Sequence, residues 1–266
     1  MQLNTHSVEG TDPGLFAEVI TPEGAAAAAR PVLLLHGFAS SSQLNWHDSG
    51  WVGALTSAGR TVITVDLPGH GRSAAPADPQ AYRPSRIRAD LLQLLTDAGV
   101  LPLDPDNPAS GVDIIGYSLG SRLAWEFGAT QAELVHRMVL GGGPGTGDPL
   151  SGFDLAAARA AVEGSGEITD GTTAELMRMA RLVPDNDVAA LLSMVEAVQE
   201  EPFIPAEAVP GMPLLLVAGD RDTFAEGAAE LAALSGQAEV LLLPARTHAN
   251  AVTSRAFKQA AVAFLA

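Results

Sequence analysis

The sequence predicts an α/β fold, a mostly parallel, doubly wound sheet carrying a small helical insertion. Three observations predict it. Short apolar runs rich in β-branched residues recur at 31–35, 61–65, 112–115, 137–140, 213–218 and 239–243, separated by stretches of helical periodicity. Several of these runs lead directly into loops dense in glycine, proline and aspartate. From about 145 to 210 the alternation stops, and three helical patterns follow one another with no strand-like run. Parallel strands buried on both faces read as continuous apolar runs. Strand–helix alternation implies right-handed crossovers with helices on both faces of the sheet. The core is therefore expected over 1–144 and 211–266, with 145–210 as a helical cap inserted between them.

Taken in order, residues 1–20 read as a β-hairpin, with Asp12-Pro13-Gly14 as the turn and 15–20 as the second strand. An alanine-rich connection over 23–30 leads to the strand at 31–35, which runs straight into His36-Gly37-Phe38-Ala39. The glycine there permits a sharp turn and leaves the Phe38 N–H free to point into a cleft. Residues 40–46 read as loop and 51–58 as helix. The strand at 61–65 continues into Asp66-Leu67-Pro68-Gly69-His70-Gly71-Arg72-Ser73, whose turn-forming residues imply a tightly folded loop. Ile87, Leu91, Leu94 and Leu95 fall at helical spacing within 84–98. After the central strand at 112–115 a helix is expected at about 119–129, with Trp125 on its core face. The strand at 137–140 ends at Gly141-Gly142-Gly143-Pro144, which lacks both the lysine of a phosphate loop and a dinucleotide fingerprint and reads as entry to the insertion. The insertion's helical patterns cover 153–162, 173–182 and 188–200. A strand at 213–218, a helix at about 225–234, a strand at 239–243 and a final helix at about 252–265 complete the chain. Ligands of such sheets bind beyond the carboxyl ends of the strands, where the loops after Leu35, Ile115, Ala218 and Leu243 emerge.

At 266 residues, 47% hydrophobic and 17% charged, the chain is long enough for one sizeable core. Its formal net charge of −16 repels nucleic acid and anionic lipid, and no basic stripe offsets it, so no nucleic-acid partner is expected. The absence of cysteine excludes a disulfide framework, a thiolate nucleophile and a thiolate metal site, and agrees with a reducing compartment. No metal and no cofactor are expected. The opening residues lack a basic start and an apolar core, and no apolar run approaches the roughly 18 residues of a membrane span, so a cytoplasmic protein without a membrane span is expected.

The chemistry centres on Gly116-Tyr117-Ser118-Leu119-Gly120, a G-x-S-x-G pattern between strand and helix. A chain that must turn within a few residues while holding a serine in a strained conformation needs glycine on both sides, where a Cβ would collide. Ser118 is then presented at a helix N-terminus, with the Leu119 N–H facing developing negative charge. Serine chemistry further needs a base and a group that orients the base. The loop after Ala218 holds two aspartates, Asp220 and Asp222, and the loop after Leu243 holds His248, giving the chain order Ser, Asp, His.

This order, the serine turn and the alternating strands together resemble the α/β-hydrolase family across nearly the whole chain. The resemblance implies that Ser118, Asp222 and His248 form a catalytic triad, the later aspartate of Gly219-Asp220-Arg221-Asp222 being the triad member. It implies that His36-Gly37-Phe38 is the oxyanion turn, with the N–H groups of Phe38 and Leu119 as donors. Asp66 to Ser73 is similar to the family's D-x-x-G-x-G-x-S loop. The implied activity is hydrolysis of a small to medium apolar carboxylic ester or lactone, the expected partner being that small-molecule substrate.

The remaining histidines are poorer bases. His6 lies in the first hairpin, His47 in a loop and His136 at a strand start, while His36 and His70 occupy backbone-shaping loops. Haloalkane dehalogenases and epoxide hydrolases of this fold carry aspartate at the nucleophile position, where this chain has Ser118. Carbon–carbon bond hydrolases typically have asparagine before the serine, where Tyr117 stands. Ser121 replaces the second glycine common after the serine turn. Acyl transfer to another acceptor would use the same three side chains, and a non-catalytic receptor would keep the pocket alone. Of the insertion's apolar residues Phe153, Leu155, Leu176, Met177, Met179, Leu192, Met194 and Phe203, two or three are expected to line the site, since an amphipathic helix buries most of its apolar face against neighbours.

Overall fold

A computed structural model describes residues 3–8, 14–22, 29–183 and 186–266. Eight strands form one sheet in the order β1-β2-β4-β3-β5-β6-β7-β8. In chain order the elements are β1 (Leu3–Val8), β2 (Ala17–Pro22), β3 (Val32–Leu35), α1 (Trp51–Ser57), β4 (Val62–Val65), α2 (Pro84–Asp97), β5 (Val112–Tyr117), α3 (Leu119–Thr130) and β6 (Val135–Gly141). There follow α4 (Leu155–Val162), α5 (Gly171–Leu182), α6 (Val188–Glu200), β7 (Leu214–Gly219), α7 (Ala228–Ser235), β8 (Ala238–Leu243), α8 (His248–Ala251) and α9 (Arg255–Phe264). β1 and β2 pair antiparallel and β2 meets β4 antiparallel, while β4, β3, β5, β6, β7 and β8 run parallel. The hairpin is as expected, with its second strand starting two residues later; its turn residues Asp12 and Pro13, and most of the alanine-rich connection, lie outside the described residues.

Alternation along the parallel strands sends side chains to two separate cores. Leu33, Leu35, Ile63, Ile114 and Leu216 join Leu91 and Leu94 of α2, Leu123 and Phe127 of α3 and Leu231 of α7 on one face. Val32, Leu34, Val62, Ile115 and Val217 join Trp51 and Leu55 of α1 and Phe257 of α9 on the other. Burial on both faces is why these strands carry unbroken apolar runs. Trp125 is fully buried in the first core, its indole N–H donating to the Ala208 carbonyl at 2.8 Å. Among the described residues, 145–210 contributes three α-helices and no strand, and no helix is long and apolar enough to cross a membrane.

Three expectations need correction. The final helix starts three residues late, because Ser254 is extended (φ −62°, ψ 128°) and its hydroxyl caps α9 by accepting the Phe257 N–H; the short α8 precedes the expected range. α7 starts three residues late, after Gly227 in a left-handed conformation (φ 87°) that a Cβ would bring within 2.7 Å of Thr146 Oγ1. The stretch read as loop before α1 contains a wide helical turn, Gln43–His47, closed by the Asp48 N–H on the Gln43 carbonyl at 2.9 Å.

Register aligns the carboxyl ends of the strands that matter. Leu35 pairs with Gly116, Tyr117 with Gly141 and Gly219 with Leu243. The turns at Gly37, Ser118, Asp222 and His248 therefore leave one edge of the sheet.

Candidate active site

Ser118 stands between β5 and α3 with φ 55° and ψ −118°, a conformation L-residues rarely adopt. The flanking glycines are there because backbone approaches from both sides. A Cβ on Gly116 would lie 2.4 Å from the Gly120 carbonyl oxygen, and one on Gly120 would lie 2.1 Å from that of Leu35. The Ser118 N–H and the Ser121 hydroxyl both donate to the Gly141 carbonyl, each at 2.9 Å, fastening the turn to the end of β6. Ser121 thus serves packing beside the turn, a role its position in the sequence left open.

His248 Nε2 lies 2.9 Å from Ser118 Oγ, and its Nδ1 lies 3.1 Å from both carboxylate oxygens of Asp222. An ionised carboxylate only accepts, so Nδ1 carries the hydrogen and Nε2 accepts from the serine hydroxyl. The Asp222 side chain is fully buried and also accepts the Phe224 N–H at 3.0 Å, which fixes its rotamer. Asp220 is exposed, and its backbone N–H bonds the Leu243 carbonyl. The structure therefore brings together the three side chains expected from the sequence and leaves Asp220 aside.

The turn at Gly37-Phe38 approaches closely, a Cβ on Gly37 meeting the Ser118 Cβ at 3.2 Å. Its shape is held by Asn45 and by the two histidines expected in backbone-shaping loops. Asn45 Oδ1 accepts the Gly37 N–H at 3.0 Å, and His70 Nε2 accepts the Ala39 N–H at 3.0 Å. His36 Nε2 accepts the Leu67 N–H at 3.0 Å, while the Nδ1 atoms of His36 and His70 meet the carbonyls of Gly37 and Pro68. Acceptance at Nε2 forces both rings into the neutral Nδ1–H tautomer. Burial pushes both imidazoles below the ordinary histidine value, His70 to about 3 with His36 adding repulsion. Asp66 ties the second loop in, accepting N–H groups from Ser42 and Arg72 at 2.7 and 2.9 Å. Among the described residues, the N–H groups of Phe38 and Leu119 have no protein acceptor.

The Tyr117 hydroxyl donates to the His248 backbone carbonyl, and its ring centroid lies 5.5 Å from the imidazole. Burial, reinforced by Asp222, raises the phenol pKa, so the group stays a donor. Phe224 meets the imidazole edge-on at 4.7 Å. His136 instead pairs with Asp113, and His47 Nε2 lies 3.6 Å from a Glu18 carboxylate oxygen; neither is near Ser118.

Leu176 and Phe203 of the insertion line a small cavity at Ser118, and Met179 borders a second, larger one. Of the eight apolar residues singled out, these three line the site; Phe153, Met177, Leu192 and Met194 are buried in the core without lining the site, and Leu155 packs, partly buried, against that core. Arg122, on α3 at the floor of the small cavity, is bonded to Asp148 and to the Glu201 carbonyl. Among the described residues no cluster suited to a metal ion occurs.

A family profile described as the Alpha/beta hydrolase family matches residues 32–261, so the chain belongs to that family. It is 34% identical over 106 residues to an epoxide hydrolase of Caballeronia sordidicola, a match covering 40% of this chain and 28% of the relative. It is 32% identical over 113 residues to a putative 2-succinyl-6-hydroxy-2,4-cyclohexadiene-1-carboxylate synthase of Bacillus subtilis, covering 42% and 36%. These matches span roughly a third of the curated relatives' length. Among solved structures, one from a study of carboxylesterases of Nitrososphaera gargenis superimposes with a TM-score of 0.74 at 16% identity, covering 98% of this chain and 97% of the other, a likeness of fold.

Proposed function

We propose that this chain is a serine hydrolase cleaving a small to medium apolar carboxylic ester or lactone through an acyl-enzyme intermediate, under the helical cap 145–210. The observation that supports it is the hydrogen-bonded row from Ser118 Oγ through His248 to Asp222. As Oγ attacks the carbonyl carbon its proton passes to Nε2, and Asp222 stabilises the resulting imidazolium. The N–H groups of Phe38 and Leu119 receive the negative charge on the carbonyl oxygen, each such donor typically contributing about 3–4 kcal/mol to lowering the barrier. His248 then returns its proton to the leaving oxygen. Water, deprotonated by the same nitrogen, attacks the acyl carbon, and Oγ recovers a proton as the acid departs.

The similarity to an epoxide hydrolase does not carry that activity here. A serine attacking an epoxide carbon would form an ether, which has no carbonyl for water to attack, whereas an aspartate forms an ester. Ser118→Ala should lower kcat on p-nitrophenyl esters by roughly 10⁵–10⁶ and abolish labelling by a fluorophosphonate. Hydrolysis within tenfold of wild type would remove Ser118 from the nucleophile's role.

A further inference from the structure

Ser118 stands at the junction of two compartments of unequal size, both bordered by Phe38 and His248. The inner one is about 20 Å³ and is walled by Leu119, Leu150, Leu176 and Phe203, none more than 7% exposed. That volume accommodates about one water-sized group. Arg122 and Asp148 also border it but are bonded to each other, so it offers no free charge to a ligand. The outer compartment is about 240 Å³ and runs beneath Met179 and Leu182 of α5, opening to solvent where Leu44 and Leu182 are 46% and 65% exposed. Its one arginine, Arg178, is paired with Glu175 at 2.6 Å.

The two halves of an ester have different needs. The acyl group stays bonded to Ser118 through both stages, so it can occupy a sealed space. The alcohol takes its proton from His248 and must leave, and the hydrolytic water must then approach from the side the alcohol vacates. Ala249, Val252 and Thr253, which follow His248, border the outer compartment and not the inner one. Resting on the serine-hydrolase reading above, we infer that the substrate class is an ester of a short, uncharged acyl group, of acetyl to propionyl size, with a long apolar alcohol. The acyl group fills the inner compartment and the alcohol lies along the outer one.

Two ester series test this with the intact 266-residue chain. Lengthening the alcohol from methyl to hexyl acetate should raise kcat/KM at least tenfold, since each buried methylene contributes up to about fourfold. Lengthening the acyl group from ethyl acetate to ethyl hexanoate should lower it at least tenfold, because overfilling a tight space is unfavourable. Leu176→Ala, which enlarges only the inner space, should improve ethyl hexanoate relative to ethyl acetate about tenfold. Leu182→Trp, at an exposed position, should shrink the advantage of hexyl over methyl acetate. Reversed preferences, or no turnover of either series while Ser118 is still labelled by a fluorophosphonate, would overturn the assignment and leave the nucleophile standing. Failure of labelling and of all turnover would instead defeat the serine-hydrolase reading and this inference with it.

Discussion

Ser118 carries an unfavourable backbone conformation that its neighbours impose, which by itself costs of order 1–3 kcal/mol. Ser118→Gly removes that cost and one side-chain hydrogen bond worth about 1 kcal/mol, so a higher Tm is expected together with loss of labelling, checked by calorimetry. Tyr117→Phe keeps the ring beside the imidazole but removes its donor to the His248 carbonyl. Under the proposed mechanism, in which Tyr117 positions the base, a fall in kcat of about tenfold with KM unchanged is expected. Ser118, His248 and the loop holding Asp220 and Asp222 were legible in the sequence because each follows a strand directly, so chain order places them on one edge; the choice of Asp222 over Asp220 came from the family resemblance. The backbone-shaping role of His70 was legible, but not its partner, and Tyr117 and Asn45 were not legible in these roles. The partners of Tyr117 and His70 lie 131 and 31 residues away, and Asn45 closes on Gly37 across a turn that reads as loop.

Elements meet around α3, whose small residues let it sit against the sheet. A Cβ at Gly120 would meet the Leu35 carbonyl, so Gly120→Ala should shift α3 off β3 and destabilise by roughly 1–3 kcal/mol, read from urea unfolding. Arg122 joins α3 to Asp148 before α4 and to the Glu201 carbonyl after α6, clasping both ends of the insertion. Arg122→Met would strand the buried Asp148 carboxylate at a cost on the order of 3–5 kcal/mol in the same measurement. Most helices and parallel strands were legible to within a few residues, because a strand buried on both faces and a helix buried on one leave different periodicities. Where the boundary depended on a single cap or a single close contact, as at Ser254 and Gly227, the periodic pattern began before the true start.

For the molecule as a whole, acid stability should follow the two buried imidazoles. In the unfolded chain a histidine titrates near about 6.5, whereas folded His70 titrates at about 3 and His36 is shifted the same way. Between these values the unfolded chain binds more protons. The stability they contribute is thus complete above about pH 6.5 and is lost as pH falls toward 3. From His70 alone a loss on the order of 3 kcal/mol is expected by pH 4, and urea midpoints at pH 7 and 4 check it. His70→Gln, whose oxygen can still accept the Ala39 N–H without titrating, should flatten that dependence. The sheet places β5 next to β3 and separates it from β7 by β6 and from β8 by β6 and β7. Under the proposed roles, a ribosome thus delivers the nucleophile's strand and helix long before the strands bearing the carboxylate and the base. A nascent chain that has docked β3 to β6 holds a serine with nothing to deprotonate it, and a message truncated before codon 248 yields a stalled product without esterase activity.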